Sequence, residues 1–281
     1  MPKSLIWEDA YVPIEKNNNG GTYNGVSIGV NELNNKRGTF AFGYANKIGE
    51  AFSTAIGVKN TVTGASNVVA GYANTSSGNQ SIVLGSFNVN EGHISYVEGY
   101  DNHNYSKYSH VEGLSNYVEK NATNIHVEGR WNTVKDKSLG THVEGFENTA
   151  NAVHTHIEGA YNISNGDTSS VQGQYNVPDV VYPTWTANTH YKVGDKIIDA
   201  EWGEGYVCIE ENTDTEFDDS KWLYTAKNTD GVFIIGNGIE DNRSNALKVT
   251  WDGDILANGN IYVNCNNDST GGIKLAALSD V

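Results

Sequence analysis

His110-Val-Glu-Gly113-Leu-Ser-Asn116, His126-Val-Glu-Gly129-Arg-Trp-Asn132, His142-Val-Glu-Gly145-Phe-Glu-Asn148 and His156-Ile-Glu-Gly159-Ala-Tyr-Asn162 are one phrase written four times. The marker glycine extends in both directions. It stands at 29, 43, 57, 71, 85, 99 and 113 with a spacing of 14, at 129 and 145 after steps of 16, and at 159 and 173 after steps of 14. From Gly43 onward an asparagine follows each marker by three residues, from Asn46 through Asn60 and Asn74 to Asn176. A fixed period of this kind is the signature of a solenoid.

Two residues before each marker the side chain is small at first (Ser27, Ala41, Ala55) and then always branched, from Val69 and Val83 to Ile157 and Val171. Side chains alternate across a strand, so the residues one and three before the glycine share the opposite face. There the early units are apolar (Phe40 and Phe42, Val68 and Ala70, Ile82 and Leu84), and the later ones carry histidine and glutamate. Both faces are expected to be buried in the early units. Fourteen residues suit one coil of two short strands and two turns. A second glycine seven residues on (Gly64, Gly78, Gly92, Gly166) is expected to turn the other corner with positive φ. The asparagines either close turns through their own backbone or stack in ladders along the axis. The two 16-residue units need only two-residue loop bulges. Coils stacked about 4.8 Å apart predict a rod roughly 50 Å long. A single chain of this form leaves an apolar stripe in water, which three copies around a shared axis would cover.

These repeats resemble the β-roll head of YadA-type trimeric autotransporter adhesins, and the His-Val-Glu-Gly version is similar to repeats of phage and prophage tail-fibre proteins. The resemblance covers about residues 26 to 176. It implies an all-β, left-handed parallel β-roll in a homotrimer.

After Asn176 the repeat stops, and Phe233-Ile-Ile-Gly236 restores it 63 residues beyond Gly173, one 14-residue step plus an insertion of 49. The intervening piece is rich in Trp and Tyr. Its segments Trp185 to Ile198, Gly205-Tyr206-Val-Cys208 and Phe217 to Trp222 resemble the small three-stranded chitin-binding modules of carbohydrate-binding family 5/12. That resemblance implies a glycan site. Aromatic faces suit the C–H faces of sugars, and Trp202, Tyr206, Trp185 and Tyr224 are the candidate contacts, with Trp202 in a polar turn as the best platform. In a module this small Trp185, Tyr191, Tyr206 and Trp222 are also the natural core. The pair of exposed aromatics that chitin binders carry after the Tyr-x-Cys strand is replaced by Glu210-Glu211-Asn212-Thr213, so chitin itself is not the expected ligand. The stretch from Gly236 to Ile255 is similar to the segment that closes the roll in prophage fibres. The expected organisation is an attachment segment at 1–25, the roll at 26–178, the inserted module at 179–227, a roll-closing segment at 228–263 and a flexible tail at 264–281.

Composition agrees with strand and turn chemistry: 31 glycines and only 4 prolines. With 34 acidic against 18 basic residues, the formal charge of −16 opposes nucleic acid and anionic membranes as partners. Cys208 and Cys265 fit no disulfide or metal spacing and read as small half-buried side chains. The start of the chain has no signal-peptide pattern, and no segment is apolar enough to span a bilayer, so synthesis in a cytosol without membrane insertion is expected.

The pairs His110/Glu112, His126/Glu128, His142/Glu144 and His156/Glu158 are the one constellation that suggests metal or acid–base chemistry. In a trimer they would form rings. Their recurrence at successive coils favours hydrogen-bonded His–Glu ladders over a metal site, with pH sensitivity of either sign. No cofactor and no catalytic residue are expected. The function that follows is a non-enzymatic tail-fibre or receptor-binding component of a phage-like virion. It would be made in the host cytoplasm, would act outside the cell, and would contact other tail or baseplate proteins and a host-surface glycan. A tail-spike glycan hydrolase and a bacterial trimeric surface adhesin are the alternatives.

Overall fold

The computed structural model describes residues 4–7, 10–17, 25–33, 37–201, 204–225 and 227–258. Among these the chain is all-β, its one helical turn being the short 3-10 segment Asp219–Lys221. A parallel β-solenoid of about ten turns forms the body. From Thr54 to Ser164 each coil has a five-residue strand ending one residue past the marker glycine, such as Val68–Tyr72, and a two-residue strand such as Thr75–Ser76, while the two coils before them carry the nine-residue strands Gly25–Leu33 and Phe40–Ile48. Every strand pairs with its counterpart one repeat away: Val69 with Val83, Val83 with Val97, Val97 with Val111. The 16-residue units keep this register, with His110 opposite His126 and Tyr117 opposite Thr133. Their additional residues form turns at Lys120–Asn121 and Asp136–Lys137, away from both strands.

The branched column is the core. Val69, Val83, Val97, Val111, Val127, Val143, Ile157 and Val171 have no solvent exposure, and neither do Val62, Val118 and Val134 on the short strands opposite. Each such valine contributes about 1.5–3 kcal/mol by leaving water. The asparagine column, fully buried, resolves into a ladder. Asn102 donates from Nδ2 to Glu98 O and Gly113 O (both 2.8 Å) and to Asn88 Oδ1 (3.2 Å). Its own Oδ1 accepts from Asn116 N at 3.0 Å. From Asn46 to Asn162 every buried amide in the ladder is paired both within its coil and to the next.

Two expectations are corrected. Gly64, Gly78, Gly92 and Gly166 do not have positive φ; the left-handed backbone falls two residues later, on Ser66, Gln80, Ile94 and Thr168. Gly64 is required for space instead, because a Cβ there would collide with the carbonyl oxygen of Gly78 in the next coil. Nor are both faces of the early strands buried within the chain: Phe42 is 49% exposed, Val68 42%, Ile82 40% and Ile56 39%.

Antiparallel strands close both ends. Ser4–Trp7 and Ala10–Asn17 form a hairpin that pairs with Gly25–Leu33. At the other end Gly231–Asn237, Asn245–Thr250 and Ile255–Ala257 make a meander. The resumption of the repeat is direct, since Gly173 lies opposite Gly236 in a parallel pair. Residues 264–281, with Cys265, lie outside the described residues.

Candidate functional site

Between the last two coils the chain forms a separate antiparallel sheet of Lys196–Ile198, Gly205–Cys208 and Trp222–Tyr224. Alternation places Ile197, Tyr206, Cys208, Trp222 and Tyr224 on one face. At one end of that face Cys208, Trp222 and Tyr191 are buried, as is Ile197 on the rung that also holds Tyr206 and Tyr224. The Cys208 thiol, pushed up from its usual pKa by burial, donates to Glu210 O at 3.1 Å. At the other end the face opens, and Tyr224, directly across from Tyr206, is 51% exposed.

Three of the four candidate sugar contacts belong to one chain of rings. Trp185 meets Phe217 edge-on at 5.7 Å, Phe217 meets Tyr206 at 5.2 Å, and Tyr206 meets Tyr224 at 5.5 Å. Trp185 and Tyr206 are half-buried against the core, so Tyr224 is the exposed end of the series. Phe217, which opens the segment that resembles a chitin-binding module and was not among the four candidate contacts, connects them. Trp202 lies outside the described residues. The Asp199 carboxylate accepts from Glu201 N (2.9 Å) and Glu204 N (2.8 Å). Burial, then the charges of Asp199 and Glu204, raise the Tyr206 hydroxyl above its usual pKa. Burial and Glu204 do the same for Tyr224. Both hydroxyls therefore stay protonated and act as donors beside carboxylate acceptors, a pairing that serves sugar hydroxyls.

The small sheet is pinned to the solenoid's closing strands. Lys196 Nζ reaches Asp230 at 2.7 Å and Asp252 at 3.2 Å, and Tyr182 donates to Asp230 at 2.9 Å. The lysine and tyrosine hold Asp230 below the usual carboxylate range.

The histidines and glutamates form two parallel columns. Imidazole stacks on imidazole at 4.9 Å for His110/His126, 4.6 Å for His126/His142 and 4.9 Å for His142/His156, with ring planes within 13° of parallel. Tyr96 closes the stack edge-on against His110. Among the four pairs, the one His–Glu approach is His110 Nε2 to Glu112 Oε2 at 3.4 Å, so the expected His–Glu hydrogen-bond ladder gives way to a His–His stack. Within the chain no ion pair joins His126 to Glu128, His142 to Glu144 or His156 to Glu158: these three glutamates are exposed, and Glu158 accepts from Gln172 Nε2 of the next coil at 3.3 Å. The reason is the parallel register, which sets identical side chains over each other at the inter-coil distance, so each ring meets the next ring and each carboxylate meets the residue above it in its own column. Nε2 of His142 is covered and has no hydrogen-bond partner. No group of three metal-ligating side chains occurs among the described residues, and rings of these residues, from His110 and Glu112 to His156 and Glu158, would require three chains.

Burial first, then the imidazoles of His126 and His156, push His142 below the ordinary histidine pKa, against an upward pull from Glu144 and Glu128. Folding thus favours its neutral form. The stability this contributes is complete above the free-histidine pKa of about 6.5 and is lost as pH falls through the lower folded value. The melting temperature is expected to drop from pH 7 to pH 5 more steeply in the wild type than in His142→Gln. Equal slopes would contradict the assignment.

No protein-family model matches the chain, and no curated protein matches it.

Proposed function

We propose that this chain is a structural, receptor-contacting component of a phage or phage-like tail fibre. Three copies pack as left-handed rolls around one axis, and the rod carries small aromatic sheets that bind a glycan on the host surface. The observation that carries this reading is the apolar stripe Val26, Phe42, Ile56, Val68 and Ile82, each at least 39% exposed on one side of a single chain. A continuous stripe of that kind marks an association surface. The cross-strand pair Tyr206 and Tyr224, beside Glu204 and Asp199, supports the glycan part. Three such sites on a stiff shaft would gain binding strength through avidity, with no deep pocket needed. In this reading the hairpin-bearing N-terminal segment joins the particle and the protein works in the virion, outside the cell.

Attachment tests it. Fluorescently labelled protein should decorate bacterial cells whose surface polysaccharide is intact and not cells stripped of it, and Tyr224→Ala should weaken that binding several-fold. Reducing sugar released from the bound polysaccharide would reveal a hydrolase and overturn the non-enzymatic part. Equal decoration of stripped cells would overturn the glycan part.

A further inference from the structure

A second aromatic surface runs along the solenoid itself, one and two residues past the marker glycines. Tyr72, Phe87 and Tyr100 come from three successive coils, with ring centroids 5.2 and 5.4 Å apart and exposures of 39%, 42% and 51%. After one coil without a ring the line resumes at Trp131, 45% exposed, which packs on Phe146 at 5.3 Å. Polar groups accompany the rings. Arg130 lies over both Trp131 and Phe146 at 4.7 Å, and Ser115 donates to Asp101 at 3.1 Å in the gap between the two clusters.

The fold does not need these rings. At the position Phe87 and Trp131 occupy, other coils carry Ala45, Ala73 and Ser115 with the same left-handed backbone. A large ring left two-fifths exposed at a corner that alanine can occupy adds apolar surface to solvent, and such surface collects where something binds. The track is long and narrow, and its coils rise about 4.8 Å each, close to the step of one sugar in an extended pyranose chain. Ring faces with carboxylate, hydroxyl and guanidinium groups at their edges suit the two sides of a pyranose. The overall charge of −16 disfavours an anionic polymer.

We propose that this ridge binds a neutral, linear pyranose oligosaccharide lying along the rod, as a second glycan-contact surface separate from Tyr206 and Tyr224. The proposal rests on the glycan-binding reading of function and assigns part of that binding to the roll.

Calorimetric titration of the full chain with cellohexaose, chitohexaose and hexagalacturonate tests it. At least one neutral hexasaccharide should bind. The Phe87→Ala/Trp131→Ala variant should weaken that binding about tenfold or more while keeping its melting temperature. Should the alanine pair fail to fold, Phe87→Leu with Trp131→Leu keeps apolar volume, removes the ring faces and is expected to show the same loss. Unaltered binding in the folded ring variant, preference for hexagalacturonate, or no binding of either neutral probe would overturn the ridge. Cell decoration measured in parallel separates the two ideas. A wild type that decorates no cells removes the glycan reading itself, whereas decoration with ring variants equal to wild type removes only the ridge.

Discussion

Gly99→Ala is expected to unfold the middle of the rod. Gly99 has φ +113°, outside the range an L side chain adopts comfortably, and a Cβ there would collide with the carbonyl oxygen of Gly113 in the next coil. It would also crowd Asn102 Nδ2 at 3.0 Å, one of the ladder's donors. Backbone strain alone costs about 1–2 kcal/mol. The collision is with main chain, which can yield only if the coil spacing opens, so the total is expected to reach roughly 4 kcal/mol or more. Gly253→Ala is the control, because Gly253 has φ +91° and nothing within 4 Å of its would-be Cβ. That variant should lose only the strain. Denaturant unfolding of the two variants separates the effects, and equal losses would show that close coil stacking is not what the marker glycine protects.

The second large effect is expected at the asparagine ladder. Asn102→Ala removes the partners of Glu98 O, Gly113 O and Asn116 N, all at a position with no solvent exposure. Each buried group left unpaired costs about 1–3 kcal/mol, so a loss of about 3–6 kcal/mol follows if no water enters. Asn79, an exposed residue whose Oδ1 accepts from Ala65 N at 2.8 Å, makes the same kind of bond in water's reach. Asn79→Ala should cost about 1 kcal/mol or less. Chemical denaturation distinguishes them, and similar small losses at both sites would mean that the ladder is incidental to stability.

The same contrast explains what could be read from the residues alone. The valine column was legible because identity at one position of the repeat and strand alternation specify the same buried side. Gly173 and Gly236 could be placed opposite each other because an insertion does not disturb the register of what it interrupts. The asparagines could be placed but their bonding could not, since turn closure and inter-coil pairing call for the same side chain. The histidines and glutamates could be placed on one face, but spacing along a strand does not show that contacts between coils outrank those within one. Left-handed backbone at Ser66, Gln80 and Ile94 was hidden because none of these is glycine. The strain is offset there by bonds to the neighbouring coil, such as Gln80 N to Ala65 O at 2.9 Å. The aromatic ridge was hidden for another reason. Its rings alternate between the first position after the glycine (Tyr72, Tyr100, Phe146) and the second (Phe87, Trp131), so neither column of the aligned repeat reads as aromatic. In the small sheet, the wish for exposed rings and the need for a core drew on the same residues. Only the cross-strand pairing of Tyr206 with Tyr224 shows which ring reaches the surface.

Much of the proposed biology depends on where the exposed stripe goes. In the first coils it is made of Phe42, Ile56, Val68 and Ile82, and farther along the same face continues as Tyr96 and the histidine stack. The partner surface proposed above would then have an apolar half and a histidine half.

Sedimentation equilibrium of the intact chain at micromolar concentration and neutral pH is the decisive experiment, run beside the variant Ile82→Glu. The wild type should sediment as one species with the mass of three chains, and the glutamate variant should dissociate. A wild type that stays folded, monodisperse and single-chain would contradict the trimer, and with it the shaft on which the proposed function stands.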